Sequence, residues 1–170
     1  LMGTGSGGSS ALFGMAMERF FPDDFRPGLA FPTLAGDSDL PAQWPLQYDE
    51  LAPWYRQAEQ RYGVRGGRDP LRPPDAPLPT SPALSARSAE LHAHFEATGL
   101  HPYRLPMACE FVAGCECCQG FLCPRDCKND AARACLRPAL NEHGAVLVDE
   151  CEVIRLEATA TTVSSLLCRH

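Results

Sequence analysis

The sequence has no cluster of lysine and arginine, and its formal charge is −6 over 170 residues. Proteins that bind nucleic acid through phosphates displace counterions with clustered cations, so the composition argues against a nucleic-acid partner. It argues equally against an anionic membrane surface. No apolar run reaches the roughly 18 residues of a membrane-spanning helix. There is no charged-then-apolar leader, no internal repeat and no low-complexity tract. What is present is 45% hydrophobic and 21% charged residues, enough to fold around a core as one domain or slightly more. The Leu1-Met2-Gly3 start and the strand-like Leu167-Cys168-Arg169-His170 end suggest an internal piece of a longer protein.

Nine cysteines are many for this length, and their number is odd. Without a leader this argues against a secreted disulfide framework, and a cytoplasmic setting is expected. Seven of them fall between Cys109 and Cys135. Cys115, Cys118, Cys123 and Cys127 are candidate thiolate ligands, for zinc or for an iron–sulfur cluster. Their runs do not form a regular paired C-x-x-C framework and no histidine lies among them. The alternative is a loop of packed or disulfide-capable thiols.

The chain opens on a glycine-rich turn, Gly3 to Ser10, running into a segment to Phe20 that could be helical with Ser9 or Ser10 as its cap and Pro22 as its stop. Residues 26 to 47 read as an irregular connection. From Asp49 to Gly63, Leu51, Trp54, Tyr55, Ala58 and Tyr62 recur at three- and four-residue intervals, which predicts a helix with one apolar face. Asp49 suits its N-cap, Gly63 its C-cap, and the mixed charges of residues 57–61 its solvated side. A proline-rich connector follows from Gly66 to Pro82. A second helix is expected over Ser85–Thr98, with Leu84, Leu91 and Phe95 inward. A helix from Asn129, kinked near Pro138 and ending near Gly144, precedes strands at 145–148, 152–156 and 161–167. Helix, glycine, then apolar strand is the grammar of an α/β unit.

Gly3, Gly5 and Gly8 match G-x-G-x-x-G literally, but no strand precedes them and no acidic residue ends a second strand downstream, so a plain turn explains them as well. The longer pattern is more specific. Gly7-Gly8-Ser9-Ser10-Ala11-Leu12 is followed by Glu18-Arg19-Phe20-Phe21-Pro22-Asp23-Asp24-Phe25. Then come Trp44-Pro45-Leu46, Tyr48, Glu50-Leu51, Pro53-Trp54-Tyr55, Ala58-Glu59 and Gly63-Val64 with Gly66. Gly99-Leu100-His101-Pro102-Tyr103-Arg104-Leu105-Pro106, Cys127-Lys128-Asn129-Asp130-Ala131 and Pro138-Ala139-Leu140 before Gly144-Ala145 complete the series. In this order, from about Gly7 to Leu156, the sequence resembles the glucose–methanol–choline (GMC) family of FAD-dependent oxidoreductases, in a bacterial branch.

The resemblance implies an α/β chain, part of an FAD/NAD(P)-binding Rossmann-like fold with inserted helical and irregular substrate-domain segments, and incomplete. It would divide into a flavin-side glycine loop and helix (1–25), connecting and helical segments with the cysteine-rich loop (26–128), and a helix–strand unit of the FAD-binding domain (129–170). It implies FAD contacts from Gly7, Gly8, Ser9 and Ser10, and an adenine contact from Val153, which could equally be an ordinary buried strand valine. Where the family usually carries Asn or His, three residues after the second serine, this sequence has Phe13. The activity implied is hydride transfer from a CH–OH group of an alcohol or sugar-like substrate to the flavin, the electron acceptor being left open. The family's catalytic histidine motif has no match here, so no catalytic residue is expected and residues 1–170 alone should be inactive. The rival is a thiolate–metal structural or electron-transfer module; a third reading keeps the scaffold as an interaction domain.

Overall fold

The computed structural model describes residues 5–36 and 41–170, so Gly3 of the literal glycine motif lies outside the described residues. The chain divides into two compact units, Leu1–Leu136 and Arg137–His170.

The first unit is organised around the short segment 107–109. Strand β1, Val64–Arg65, pairs antiparallel with β2, Met107–Ala108, in the register Val64↔Ala108. On its other side Ala16 bridges Met107, with the Met17 N–H donating to the Pro106 carbonyl (2.9 Å) and the Ala108 N–H to the Met15 carbonyl (2.8 Å). A third bridge joins Cys109 to Lys128. These pairings displace the helix expected over residues 11–20. Only a 3₁₀ turn forms, Gly8–Leu12, and the chain then runs extended, since backbone groups bonded to a neighbouring segment cannot also serve a helix.

Proline punctuates the next stretch. A 3₁₀ turn, Pro22–Phe25, is opened by the Phe21 N–H donating to the Asp24 carboxylate (2.6 Å). The region expected to be irregular also holds two one-turn helices, α1 (Pro27–Ala30) and α2 (Pro32–Ala35), each with proline at its first position, where no N–H is missed.

Helix α3, Tyr48–Arg61, is capped by Gln47, two residues before the expected cap Asp49. The Gln47 N–H donates to the Glu50 carboxylate (2.6 Å), and Asp49 falls in the first turn, where negative charge suits the helix dipole. The helix runs through Pro53, and Gly63 reverses the chain beyond it at φ 54°. Leu51, Tyr55, Ala58 and Tyr62 lie half-buried on the expected inward side, with two departures from the pattern. Trp54 is 62% exposed, whereas Glu59 is buried. Helix α4, Ala86–Ala97, is capped by the Ser85 hydroxyl, which accepts from the Ser88 N–H (3.2 Å). Leu91 and Phe95 line an open groove with Leu84 and Tyr103, and no residue of this helix is buried.

The interior of this unit is small and half polar. One part gathers Phe20, Trp44 and Tyr48 edge-on around buried Phe25, at centroid distances of 6.2, 5.3 and 6.0 Å. The other consists of Met15, Cys109 and Cys127, flanked by Phe13, Met107 and Phe111. Arg19, Glu59, Lys128 and Asn129 are buried alongside. A π-helical turn, Ala132–Leu136, ends the unit; widening the turn relieves the clash that Pro138 would otherwise make with the carbonyl four residues before it.

The second unit begins with α5, Arg137–Glu142, closed by the Ala145 N–H reaching back to the Ala139 carbonyl (3.0 Å). Residues 145–148, expected as strand, are irregular and exposed. Strands β3, Glu152–Ala158, and β4, Val163–Arg169, form an antiparallel hairpin with Val153 opposite Cys168 and Leu156 opposite Leu166. Every residue of both strands is exposed. The fold is thus a mixture of helices and two small antiparallel sheets; among the described residues no strands pair in parallel. No described helix is long and apolar enough to cross a membrane.

Candidate functional site

The glycine–serine turn is held by a segment more than a hundred residues away. Gly7 adopts φ 87° and Gly8 φ 56°, both in the left-handed region. A Cβ on Gly7 would lie 3.1 Å from that of Ala132, so glycine is needed for contact as well as for conformation. The Ser10 hydroxyl donates to the Gly7 carbonyl (2.5 Å) and accepts from the Ala131 N–H (3.0 Å), which leaves it one free acceptor position. Ser9 is exposed, and a Cβ on Gly5 would meet nothing, so the approach to the turn is open at Gly5.

Lys128, the sequence's one lysine, completes this attachment. It is 2% exposed, and its ammonium donates to the carbonyls of Ala11 (3.1 Å), Phe13 (3.0 Å) and Phe121 (2.8 Å). Asn129 beside it donates to the Tyr62 carbonyl and the Glu110 carboxylate, and the Asp130 carboxylate accepts from the Arg133 N–H. The stretch Cys127–Ala132 therefore ties the glycine turn to the end of α3 and to the cysteine loop. Phe13 packs its ring against the Met15–Cys109–Cys127 cluster, which accounts for an apolar residue where a polar one was expected.

The cysteine loop brings together a different set from the one its spacing suggested. The Sγ atoms of Cys109, Cys115 and Cys127 all lie within 4.8 Å of one another, with Cys109–Cys115 at 3.7 Å and Cys115–Cys127 at 3.4 Å. Cys123 Sγ is 3.4 Å from Cys127 Sγ. Neither Cys118 nor Cys123 is one of the three mutually close thiols, and Cys109, which sequence reasoning passed over, is fully buried among them. Burial pushes the Cys109 thiol up to about 11 and raises that of Cys127. Burial also works to raise Cys123, but N–H groups of Cys127, Lys128 and Arg125 outweigh it and bring this thiol down to about 7.

A buried ionic network occupies the other side of the unit. Glu59 accepts two bonds from Arg19 (2.7 and 2.7 Å) and two from Arg68 (2.5 and 2.8 Å). Arg19 also donates to Asp75 (2.5 Å) and Tyr48 (3.2 Å). Burial would favour neutral Glu59, but the two guanidinium groups outweigh it and hold its carboxyl below the usual range. The sequence had placed Glu59 on a solvated face. Its partner Arg19 is 40 residues away, and no local pattern reveals such a pair. The one hint was that both residues stand in the quoted motif series. Arg104 donates to the Pro82 carbonyl (2.7 Å), so it serves the loop.

Val153 lies in the second unit, opposite Cys168 in the hairpin and 51% exposed, not on a buried strand. The expected cofactor contacts are thus split between the two units.

No protein-family model matches the chain. It is 28% identical over 168 residues to 6'''-hydroxyparomomycin C oxidase of Streptomyces lividus, covering 89% of this chain. It is 29% identical over 177 residues to paromamine 6'-oxidase of Streptomyces fradiae, covering 95% of this chain. The chain spans 29% and 30% of the lengths of these relatives, and both are named as oxidases.

Proposed function

We propose that this chain is a segment of a flavin-dependent oxidoreductase of the glucose–methanol–choline type, which oxidises a CH–OH group of a sugar-like small molecule to the carbonyl. The observation that carries this reading is the similarity along nearly the whole chain to two oxidases named for paromamine and 6'''-hydroxyparomomycin C. The order of the motifs from Gly7 to Leu156 supports it independently of those names.

The turn fits an FAD in one respect: Gly7 and Gly8 carry no side chain and open space adjoins Gly5, so a flat ring or a pyrophosphate can approach the backbone closely there. Bound there, the FAD would accept the hydride from the substrate carbon. The chain's own residues do the positioning. Gly7, Gly8, Ser9 and Ser10 remain the proposed flavin-side contacts: Gly7 packs against Ala132, Ser10 fixes the curvature from behind, and Lys128 with Ala131 holds the turn in place. The 3₁₀ turn of five residues is too short for a helix dipole to matter, so attraction to phosphate would come from individual N–H groups. Val153 remains the proposed adenine-side contact.

The test is the intact protein containing this chain, purified and examined for flavin absorption and for oxidation of paromamine-like and simple sugar alcohols. Co-purified or readily bound FAD, and an aldehyde or ketone product, are expected. A folded protein that takes up no FAD, or that binds it and oxidises no CH–OH substrate, refutes the reading.

A further inference from the structure

We propose that Cys109, Cys115 and Cys127 bind a single zinc ion, with Cys123 supplying the fourth thiolate. The distances carry the argument. Zinc–sulfur bonds of about 2.3 Å in a tetrahedron place neighbouring sulfurs about 3.8 Å apart. The Cys109–Cys115, Cys115–Cys127 and Cys123–Cys127 separations are 3.7, 3.4 and 3.4 Å. A disulfide would bring one pair to about 2.05 Å and leave the others as bystanders. A cubane-type iron–sulfur cluster seats each thiolate on a different iron and spreads the sulfurs beyond mutual contact, and a [2Fe–2S] cluster brings only pairs together, whereas here three converge. Three sulfurs within 4.8 Å of one another suit one ion.

The backbone around the sulfurs is shaped to converge on one point. The Cys109–Lys128 bridge and the Glu110 N–H bond to the Cys127 carbonyl (2.9 Å) bring the two ends of the loop together. The Phe111 N–H approaches Cys109 Sγ and the Cys127 N–H approaches Cys123 Sγ, both at 3.4 Å, donors that favour sulfur in its anionic form. Phe111, Cys117 and Asp126 are non-glycine residues at φ 49°, 49° and 51°, a conformation that persists only where the surroundings enforce it. The packing around this loop is too thin to do so: Phe121, Leu122 and Val112 are all exposed.

Charge gives a second line. Lys128 is a buried cation whose three donors go to carbonyls, with no carboxylate partner among the described residues. A buried charge without a counter-charge is costly. A divalent ion held by three or four thiolates carries a net charge of minus one or two, next in sequence to this lysine. The ion's role is structural: it would fasten residues 109–127, and through Lys128 the glycine turn, where apolar burial is scant.

The experiment is metal analysis of the intact protein, purified without chelators and under reducing conditions. One zinc per chain is expected, and cobalt substitution should give strong thiolate-to-metal absorption with tetrahedral d–d bands. Cys109→Ser, Cys115→Ser and Cys127→Ser should lose the metal; Cys118→Ser and Cys168→Ser should keep it. Should the ligand variants fail to fold, the zinc content and cobalt spectrum of the unaltered protein decide the matter. A folded, metal-free protein, a Cys123–Cys127 disulfide in its place, iron with acid-labile sulfide, or loss of zinc in Cys118→Ser but not in Cys109→Ser each overturns the proposal. The readout is independent of flavin, so its failure and that of the oxidoreductase reading are separable.

Discussion

Replacing Glu59 by alanine should cost this protein more than any surface carboxylate does, and the amount follows from which partners it strands. Its side chain is 8% exposed, and that of Arg19 is 3% exposed. Arg68 is 19% exposed and can recover water when Glu59 is gone, so most of the loss falls on Arg19. Arg19 would lose its Nε and Nη2 acceptors and keep Asp75 and Tyr48. Charge-assisted bonds are worth about 1.5–3 kcal/mol each, and stranding one member of a buried pair costs about 3–5 kcal/mol. Glu59→Ala should therefore destabilise by about 3–5 kcal/mol. For a urea slope of about 2 kcal/mol/M this moves the midpoint down by about 2 M. Glu59→Gln should lose less, and Arg68→Ala about 1 kcal/mol. The assay is urea unfolding of the intact protein followed by intrinsic fluorescence. A double-mutant cycle of Arg19→Met with Glu59→Gln should give a coupling of about 2 kcal/mol or more. A loss below about 1 kcal/mol in Glu59→Ala, the worth of an exposed ion pair, would refute the view of Glu59 as a buried hub.

The same network sets the acid response. Glu59 and Asp75 are both held below their ordinary values of 4.5 and 3.8, so their contribution is complete above those values and is lost as pH falls through the lowered folded-state ones. Urea midpoints measured from neutral pH downward should decline below about pH 4.5, and the decline should be shallower in Glu59→Gln; an unchanged slope would count against the assignment. Gly7→Ala places a methyl group 3.1 Å from Ala132 at φ 87°, and should both destabilise by about 1–2 kcal/mol and reduce FAD retention, read by flavin absorbance after gel filtration. Lys128→Met removes three hydrogen bonds while keeping the side chain's bulk. Limited proteolysis should then cut between residues 5 and 14 faster than in the unaltered protein, and equal rates would show that the ammonium does not hold the turn.

The elements with strong local signals were legible in the sequence. Apolar periodicity and Gly63 located α3, Ser85 and Gly99 bracketed α4, and the branched residues of 152–156 and 161–167 marked two strands, though not their antiparallel pairing. What was misread was decided by distant partners. The helix expected after Ser10 gave way because residues 15–17 bond to 106–108. Trp54 and Glu59 exchanged their expected sides because Arg19 and Arg68 make the carboxylate's burial favourable, and hydrophobic pattern treats any charge as outward. Cys109 was overlooked because ligand spacing was sought within the dense run 115–127, whereas the Cys109–Lys128 bridge brings a sixth-residue neighbour into the same cluster. The motif Cys127-Lys128-Asn129-Asp130-Ala131 was visible as a string, but its work, gripping a turn over a hundred residues earlier, exists only in three dimensions.

That grip makes the cysteine cluster and the glycine turn one mechanical unit. Cys127 faces the other thiols, and Lys128, the next residue, reaches the carbonyls of Ala11 and Phe13. An ion on Cys127 would fix the backbone from which that lysine extends, so the zinc and FAD proposals together predict linked binding. Removing zinc with a chelator under reducing conditions should weaken FAD binding, and FAD should slow zinc loss, because coupling between two binding equilibria is reciprocal. A coupling of about 1–2 kcal/mol, between fivefold and thirtyfold in FAD affinity, is the expected scale. Lys128→Met should abolish the coupling without removing the metal, since it keeps the backbone N–H that favours the Cys123 thiolate and removes only the ammonium that forms the connection. Equal FAD affinity with and without zinc would show that the segment 127–132 holds its shape unaided, and that the cluster serves the cysteine loop alone.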